Sequence, residues 1–190
     1  MEHIREQCEQ VRQTVMLATL SSAMGTLHVG YRDRGIVFLR LDRGEGLCGA
    51  LTALERRLHA PAVPTQEAIP PWIVAAIEAF FAAGRTANAP VDLSDLTDFE
   101  RAVLSAVAQI PCGEVRSYGW LARTVGKPNA ARAVAQALAN NPIALLVPCH
   151  RVIDCRGRLN RYLYGVEMKR RLLAMEGYRE EETSVGVRTS

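Results

Sequence analysis

Cys149 and His150 stand side by side in the run Leu146-Val147-Pro148-Cys149-His150-Arg151-Val152-Ile153, a thiol beside an imidazole within apolar residues. A cysteine coupled to a proton acceptor reaches the thiolate form that attacks carbon, whereas an uncoupled buried cysteine is an inert small hydrophobe. Neighbouring side chains of a strand point to opposite faces. Cooperation between the two therefore requires a turn or a helix start, which Pro148 favours.

The elements that must position this pair fall into two groups. Residues 14–20, 26–31 and 36–41 read as paired strands, with breaks at Ser21–Gly25 and Arg32–Gly35, and predict a small antiparallel sheet. Helical spacing of Leu, Ile, Val and Phe over 50–58 and 72–83 predicts two helices covering that sheet, separated by the proline-rich stretch 61–71. A polar linker from Arg85 to Asp95 sets a domain boundary, giving an N-terminal α/β unit at 1–90 and a C-terminal unit at 91–190. The second unit opens at Thr97-Asp98-Phe99-Glu100, a capping box starting a helix to about Ala108. Ser117 caps a short helix from Tyr118 to Val125 that Gly126 ends, and Pro128 suits the first turn of another running to about Ala139. Two such helices make a helix-turn-helix, so the predicted class is α+β with a helical second domain. Alanines at 130, 131, 133, 135 and 137 leave the second of these helices smooth, with Arg132 protruding, and the tail from Arg179 reads as frayed.

The 190 residues are 48% hydrophobic, enough for real cores. No apolar run reaches the roughly 20 residues of a membrane span, and the start Met-Glu-His-Ile-Arg-Glu lacks the plan of a secretory signal, so a cytoplasmic protein is expected. Five cysteines form no CxxC pair and leave one unpaired in any disulfide scheme, which points to free thiols in a reducing compartment. Cys8, Cys48, His28 and His59 match no compact zinc motif, and no metal is expected. The net charge of +3 is uneven: residues 1–99 hold 9 Lys/Arg against 12 Asp/Glu, and residues 100–179 hold 13 against 5. A basic half beside an acidic one suggests a surface for a polyanion, although basic surfaces also serve solubility alone.

With these features together, the chain resembles the O6-alkylguanine-DNA alkyltransferases. The resemblance runs from Ile110-Pro111-Cys112-Gly113-Glu114-Val115-Arg116-Ser117-Tyr118, through Ala130–Val134 and Asn141-Pro142, to Pro148–Val152 and Lys169–Glu176; Gly25-Thr26-Leu27 carries it more loosely in the first half. It implies that Cys149 accepts the alkyl group, that His150 takes the thiol proton through a water, that Glu176 orients the imidazole, and that Asn141 is a hinge tying the recognition helix to the active loop. It implies a DNA-binding set of Tyr118, Arg132, Ala131 and Lys127, in which Tyr118 crowds the phosphate and Arg132 fills the stack vacated by a flipped base. The pocket would comprise Tyr118, backbone groups near Val152, Tyr162 and, in support, Lys169. No cofactor is implied. The partner would be double-stranded DNA carrying O6-alkylguanine, with O4-alkylthymine a second candidate, met by a monomer through the minor groove with weak sequence preference.

The chain departs from the pattern at Asn160-Arg161, where relatives carry small residues or glycine before the tyrosine, and at Leu163, where some carry a serine. This keeps open a lesion-binding relative that flips the base without transferring the alkyl group, although such proteins replace the acceptor cysteine. A transcriptional regulator would carry varied polar residues on the second helix rather than Ala130, Ala131 and Ala133. A cysteine hydrolase would show an acyl-enzyme burst with esters.

Overall fold

The computed structural model describes residues 14–84, 89–159 and 162–179. The chain's start, Asn160 and Arg161, and the tail beyond Arg179 lie outside the described residues, as does the first part of the expected linker.

Three consecutive strands, β1 (Val15–Ser22), β2 (Gly25–Arg32) and β3 (Gly35–Leu41), pair antiparallel as the alternating pattern predicts. A fourth, β4 (Ala62–Pro64), was not foreseen: it adds parallel to β1, so the sheet is mixed, in the order β3-β2-β1-β4. Pro64 is tolerated there because an edge strand need not donate every N–H to the ladder. Helix α1 (Gly46–Leu58) begins four residues before the apolar spacing does, because the Asp42 carboxylate accepts from the N–H groups of Gly44 and Gly46 and folds the chain into it. It packs Ala50 and Leu54 on Val15, Leu17, Val37 and Phe38. Contact is closest at Gly30, where a Cβ would lie 2.9 Å from Phe38 Cβ and 3.1 Å from Leu54 Cδ2. A bulge leaves Val37 unpaired between the Gly30–Phe38 and Tyr31–Ile36 pairs, which lets Val37 and Phe38 enter the same cluster despite being neighbours.

Helix α2 (Pro71–Ala83) covers the opposite face. There Leu27, Val29, Ile36 and Leu39 join Ile73 and Phe80 in a core that continues into Val103, Leu121, Val134, Val152 and Leu172 of the second half. The expected boundary near residue 90 does not interrupt this core. Helix α3 (Asp98–Ala108) carries the foreseen capping box: Thr97 Oγ1 accepts from Glu100 N, and the Glu100 carboxylate accepts from Thr97 N. Strand β5 (Arg116–Ser117) leads into α4 (Tyr118–Thr124), whose cap Ser117 accepts from Trp120 N. Gly126, at φ 72°, ends the excursion. The next helix, α5 (Ala131–Ala139), starts three residues later than Pro128 suggests, because Lys127 to Ala130 form a turn closed by Ala130 N donating to Lys127 O. Helix α6 (Gly165–Met175) completes six α-helices among the described residues, none of them long and apolar enough to cross a membrane.

Two connections fix the second half on the first along β3, whose outer edge would otherwise be open. Ile36 N donates to Pro90 O and Asp92 N to Ile36 O, at 2.9 and 2.8 Å; Leu39 N donates to Pro142 O and Ala144 N to Leu39 O, at 2.8 and 3.1 Å. The stretch expected as a linker is thus seated on the sheet over residues 89–95. Arg32 clamps it, donating to Asp92, Ser94 and Asp95 at 2.7, 2.8 and 3.0 Å.

Candidate active site

The apolar run around Cys149 is buried throughout residues 141–153. Pro148, at φ −80° and ψ 63°, closes an inverse γ-turn in which Cys149 N donates to Val147 O at 2.8 Å, and a single 3-10 turn follows over Cys149–Arg151. The turn that cooperation between thiol and imidazole demanded is therefore present. Strand β6 (Val152–Ile153) then pairs parallel with β5, which joins this turn to the start of α4 and hence to Tyr118.

Asn141 holds the loop from inside. Its Nδ2 donates to Val147 O at 3.0 Å and to Cys149 Sγ at 3.2 Å, while its Oδ1 accepts from Ile143 N at 3.0 Å. Leu145, within this loop, is a non-glycine residue at φ 75°, a left-handed conformation that persists only where its surroundings over-determine it. The hydrogen bonds of Asn141 on one side and the pairing to Leu39 on the other do so.

Behind the thiol, His150 Nε2 donates to Glu176 Oε1 at 2.8 Å, and its Nδ1 is buried without a partner among the described residues. A neutral imidazole bonded in this way carries its free acceptor on Nδ1. Arg151 was not among the expected site residues, yet its guanidinium is fully buried. Its Nε donates to Glu176 Oε2 at 2.8 Å and its Nη2 to Oε1 at 2.9 Å, while Nη1 and Nη2 reach Ile110 O and Gly84 O at 2.6 and 2.8 Å. A signal was available: a charge inside the run Leu146–Ile153 is buried with the run, and a buried charge requires a partner.

Burial pushes the Cys149 thiol up, against the opposing pull of the Asn141 N–H and the Lys169 charge. Burial likewise pushes the His150 imidazole down, outweighing Glu176. Burial also opposes ionisation of Glu176, but hydrogen bonds from His150 and Arg151 hold its carboxyl below the ordinary range. The resting site is thus a thiol, a neutral imidazole and an Arg151–Glu176 ion pair.

Cys149 lies at the floor of a cleft of about 790 Å³ that Tyr118, Ala131, Arg132, Tyr162 and Leu163 also line. Helices α4 and α5 supply the first three, so the smooth alanine face and the protruding Arg132 form one wall of the opening above the thiol. Tyr162 stands edge-on to His150, ring centroids 6.3 Å apart, and its hydroxyl is buried without a partner among the described residues. Three expected residues stand elsewhere. Lys127 is exposed in the turn before α5, its Nζ 5.9 Å from the Phe99 ring centre, and does not line the cleft. Val152 turns its side chain into the core, and Lys169 is buried behind the wall, donating to Val152 O. Burial lowers the Lys169 ammonium to about 8. Among the described residues no group of three or more His, Cys, Asp or Glu is placed to hold a metal ion; Cys8 lies outside them.

The family model described as 6-O-methylguanine DNA methyltransferase, DNA binding domain, matches residues 98–178. Methylated-DNA–protein-cysteine methyltransferases of Methanosarcina acetivorans and Mycobacterium bovis are 45% and 49% identical over 102 residues, which is 53% of this chain and 65% and 61% of theirs. The match thus spans just under two thirds of those proteins. Solved structures extend the likeness: the Mycobacterium tuberculosis O6-methylguanine methyltransferase is 36% identical over 86% of this chain and 93% of its own, with a TM-score of 0.70. A structure titled as the OGT of the same organism in complex with DNA is 37% identical over 85% and 92%, with a TM-score of 0.71. At 36% and 37% identity over more than nine-tenths of these solved relatives, the chain belongs to the O6-methylguanine DNA methyltransferase family.

Proposed function

We propose that the protein repairs DNA by moving the alkyl group of O6-alkylguanine in a duplex irreversibly onto Sγ of its own Cys149, as a monomer in the cytoplasm and without a cofactor. The observation that carries this reading is the buried thiol at the floor of a cleft whose rim is the helix-turn-helix, with an imidazole and a carboxylate behind it. A cleft of about 790 Å³ has room for a base, and small-molecule sites run from roughly 300 to 1,000 Å³.

The O6 substituent of a stacked guanine is out of reach of a thiol at this depth, so the nucleotide must turn out of the helix. Arg132, exposed at the rim beside Ala131, is placed to fill the gap left in the stack, and the small side chains around it allow the backbone of α5 to come close to the minor groove. Tyr118, half-buried at the start of α4 and lining the same cleft, would crowd the phosphate of the turning nucleotide. In the chemical step the sulfur attacks the alkyl carbon, an S–C bond forms, and the C–O6 bond breaks with its electron pair left on the guanine. The thiol proton passes to His150 Nδ1 through an intervening water and is returned to the guanine, so the products are a thioether and an ordinary base. Glu176 fixes the ring through Nε2 and stabilises the imidazolium while it exists. A thioether is a stable product, so each molecule acts once.

Intact-protein mass spectrometry after mixing with excess duplex containing O6-methylguanine tests the proposal. One added methyl, mapped to Cys149 and stopping at one equivalent, is the expected result. Tight lesion binding with no mass change refutes transfer and leaves a lesion-binding protein.

A further inference from the structure

Arg151 does more than neutralise a buried carboxylate. It is about 1% exposed, and its hydrogen bonds gather three distant parts of the chain: Gly84 at the C-terminal end of α2, Ile110 just after α3, and Glu176 after α6. The two Glu176 oxygens are divided between partners. Oε2 accepts from Arg151 Nε, and Oε1 accepts from both Arg151 Nη2 and His150 Nε2, so the guanidinium fork fixes the plane of the carboxylate that orients the imidazole. The space around it is closed as well. Gly84, at φ 61°, has no room for a side chain: a Cβ would lie 2.7 Å from Glu176 Cγ and 2.9 Å from Cys112 Sγ.

We propose that Arg151 is a positioning residue of the proton relay, through which the end of α2 in the first half of the chain sets the orientation and proton affinity of the His150–Glu176 pair. The proposal rests on the transfer reading for its consequence, but its direct effect is on the pair itself. The ionisable groups facing the pair are Cys149 before it, Lys169 from α6, Tyr162 beside the ring and Cys112 against the Glu176 backbone carbonyl. Arg151 bonds the carboxylate of Glu176 directly, through both of its oxygens. A cation in this place disfavours an added proton on the pair, whichever member would carry it, and keeps Nδ1 free to accept from the thiol.

The test follows the His150 ring nitrogens by NMR across pH, in parallel with single-turnover transfer to the full-length protein from duplex O6-methylguanine. Arg151→Met is expected to move protonation of the pair, and the acid limb of the transfer rate, upward by at least about one pH unit, since a unit charge a few ångströms away in partly desolvated surroundings supplies that much. Arg151→Lys keeps the charge without the fork; it returns the titration toward wild type but leaves a lower plateau rate. In a Glu176→Gln background the arginine substitution adds a smaller shift, because the route through the carboxylate is gone and only the direct effect of the charge on His150 is left. Should the Met variant fail to fold by circular dichroism, the same cycle is run with Arg151→Lys, whose plateau defect must then vanish beside Glu176→Gln. An unchanged His150 titration in Arg151→Met, or a defect that persists fully without Glu176, overturns the proposal. Absence of transfer by the wild type with a shifted titration in the variant overturns the transfer reading and leaves the arginine's role standing.

Discussion

Replacing Asn141 with alanine removes two donated hydrogen bonds and one accepted bond from a residue that is 1% exposed. Ile143 N loses its partner in a dry interior, and a buried group left without a partner costs about 1–3 kcal/mol, whereas Val147 O keeps the N–H of Cys149. The implied loss of about 1–3 kcal/mol is a sizeable share of the roughly 5–15 kcal/mol that holds a typical domain folded. With a urea dependence of about 2 kcal/mol per molar, the unfolding midpoint falls by roughly 0.5 to 1.5 M. The third bond gives the prediction a second arm: the Nδ2–Sγ contact favours the thiolate, so its loss raises the thiol further and slows alkylation of Cys149 by iodoacetamide at neutral pH. Urea unfolding followed by circular dichroism, with alkylation timed by mass spectrometry, reads both arms. A midpoint within a few tenths of wild type together with unchanged alkylation would refute the claim that Asn141 holds the loop and tunes the thiol.

Three further outcomes are expected. Arg132→Ala slows transfer from duplex DNA by on the order of tenfold to a hundredfold, as a few kcal/mol of unstacking goes uncompensated, while reaction with free O6-methylguanine base is unaffected; equal loss on both substrates would show that the arginine acts in the pocket rather than on the duplex. Stability falls as pH drops below about 6.5, because the buried imidazole refuses a proton that the unfolded chain accepts, and falls again in the acid range as Glu176 and then Asp92, held near 2 beside Arg32, take up protons; urea midpoints across pH check this, and His150→Asn removes only the first decline. Thr97→Ala removes the cap of α3 and costs about 1 kcal/mol, measurable as a lowered midpoint with the rate of transfer preserved.

What could be read from the chain was local. Thr97 with Glu100, and Ser117 before Trp120, announce helix starts because a side-chain cap and its N–H lie within three residues of one another. The three consecutive strands alternate because one face of each meets the core. Cys149 with His150 was legible as chemistry, and the turn that makes the pair cooperative follows from Pro148. Less accessible were arrangements closed through space. Strand β4 has only three residues and two prolines nearby, so its pairing depends on β1 being presented to it. The later start of α5 depends on a turn whose bonds run back to Ala122. Arg151 looks like any charge next to a histidine until Gly84, Ile110 and Glu176 are brought around it. The packing of Lys127, exposed in the turn before α5, over the Phe99 ring likewise depends on α3 being brought beside that turn.

The edge of β3 bears on how such a protein can be divided and rejoined. Pro90–Asp92 and Pro142–Ala144 lie along it, so the first half presents a docking strand and the second half brings two segments shaped to meet it. The two halves are thus joined by main-chain pairing as well as by the core they share, so the covalent connection is one of three links between them. Two polypeptides made separately would have to complete that core and add both segments to the edge in a single act of assembly.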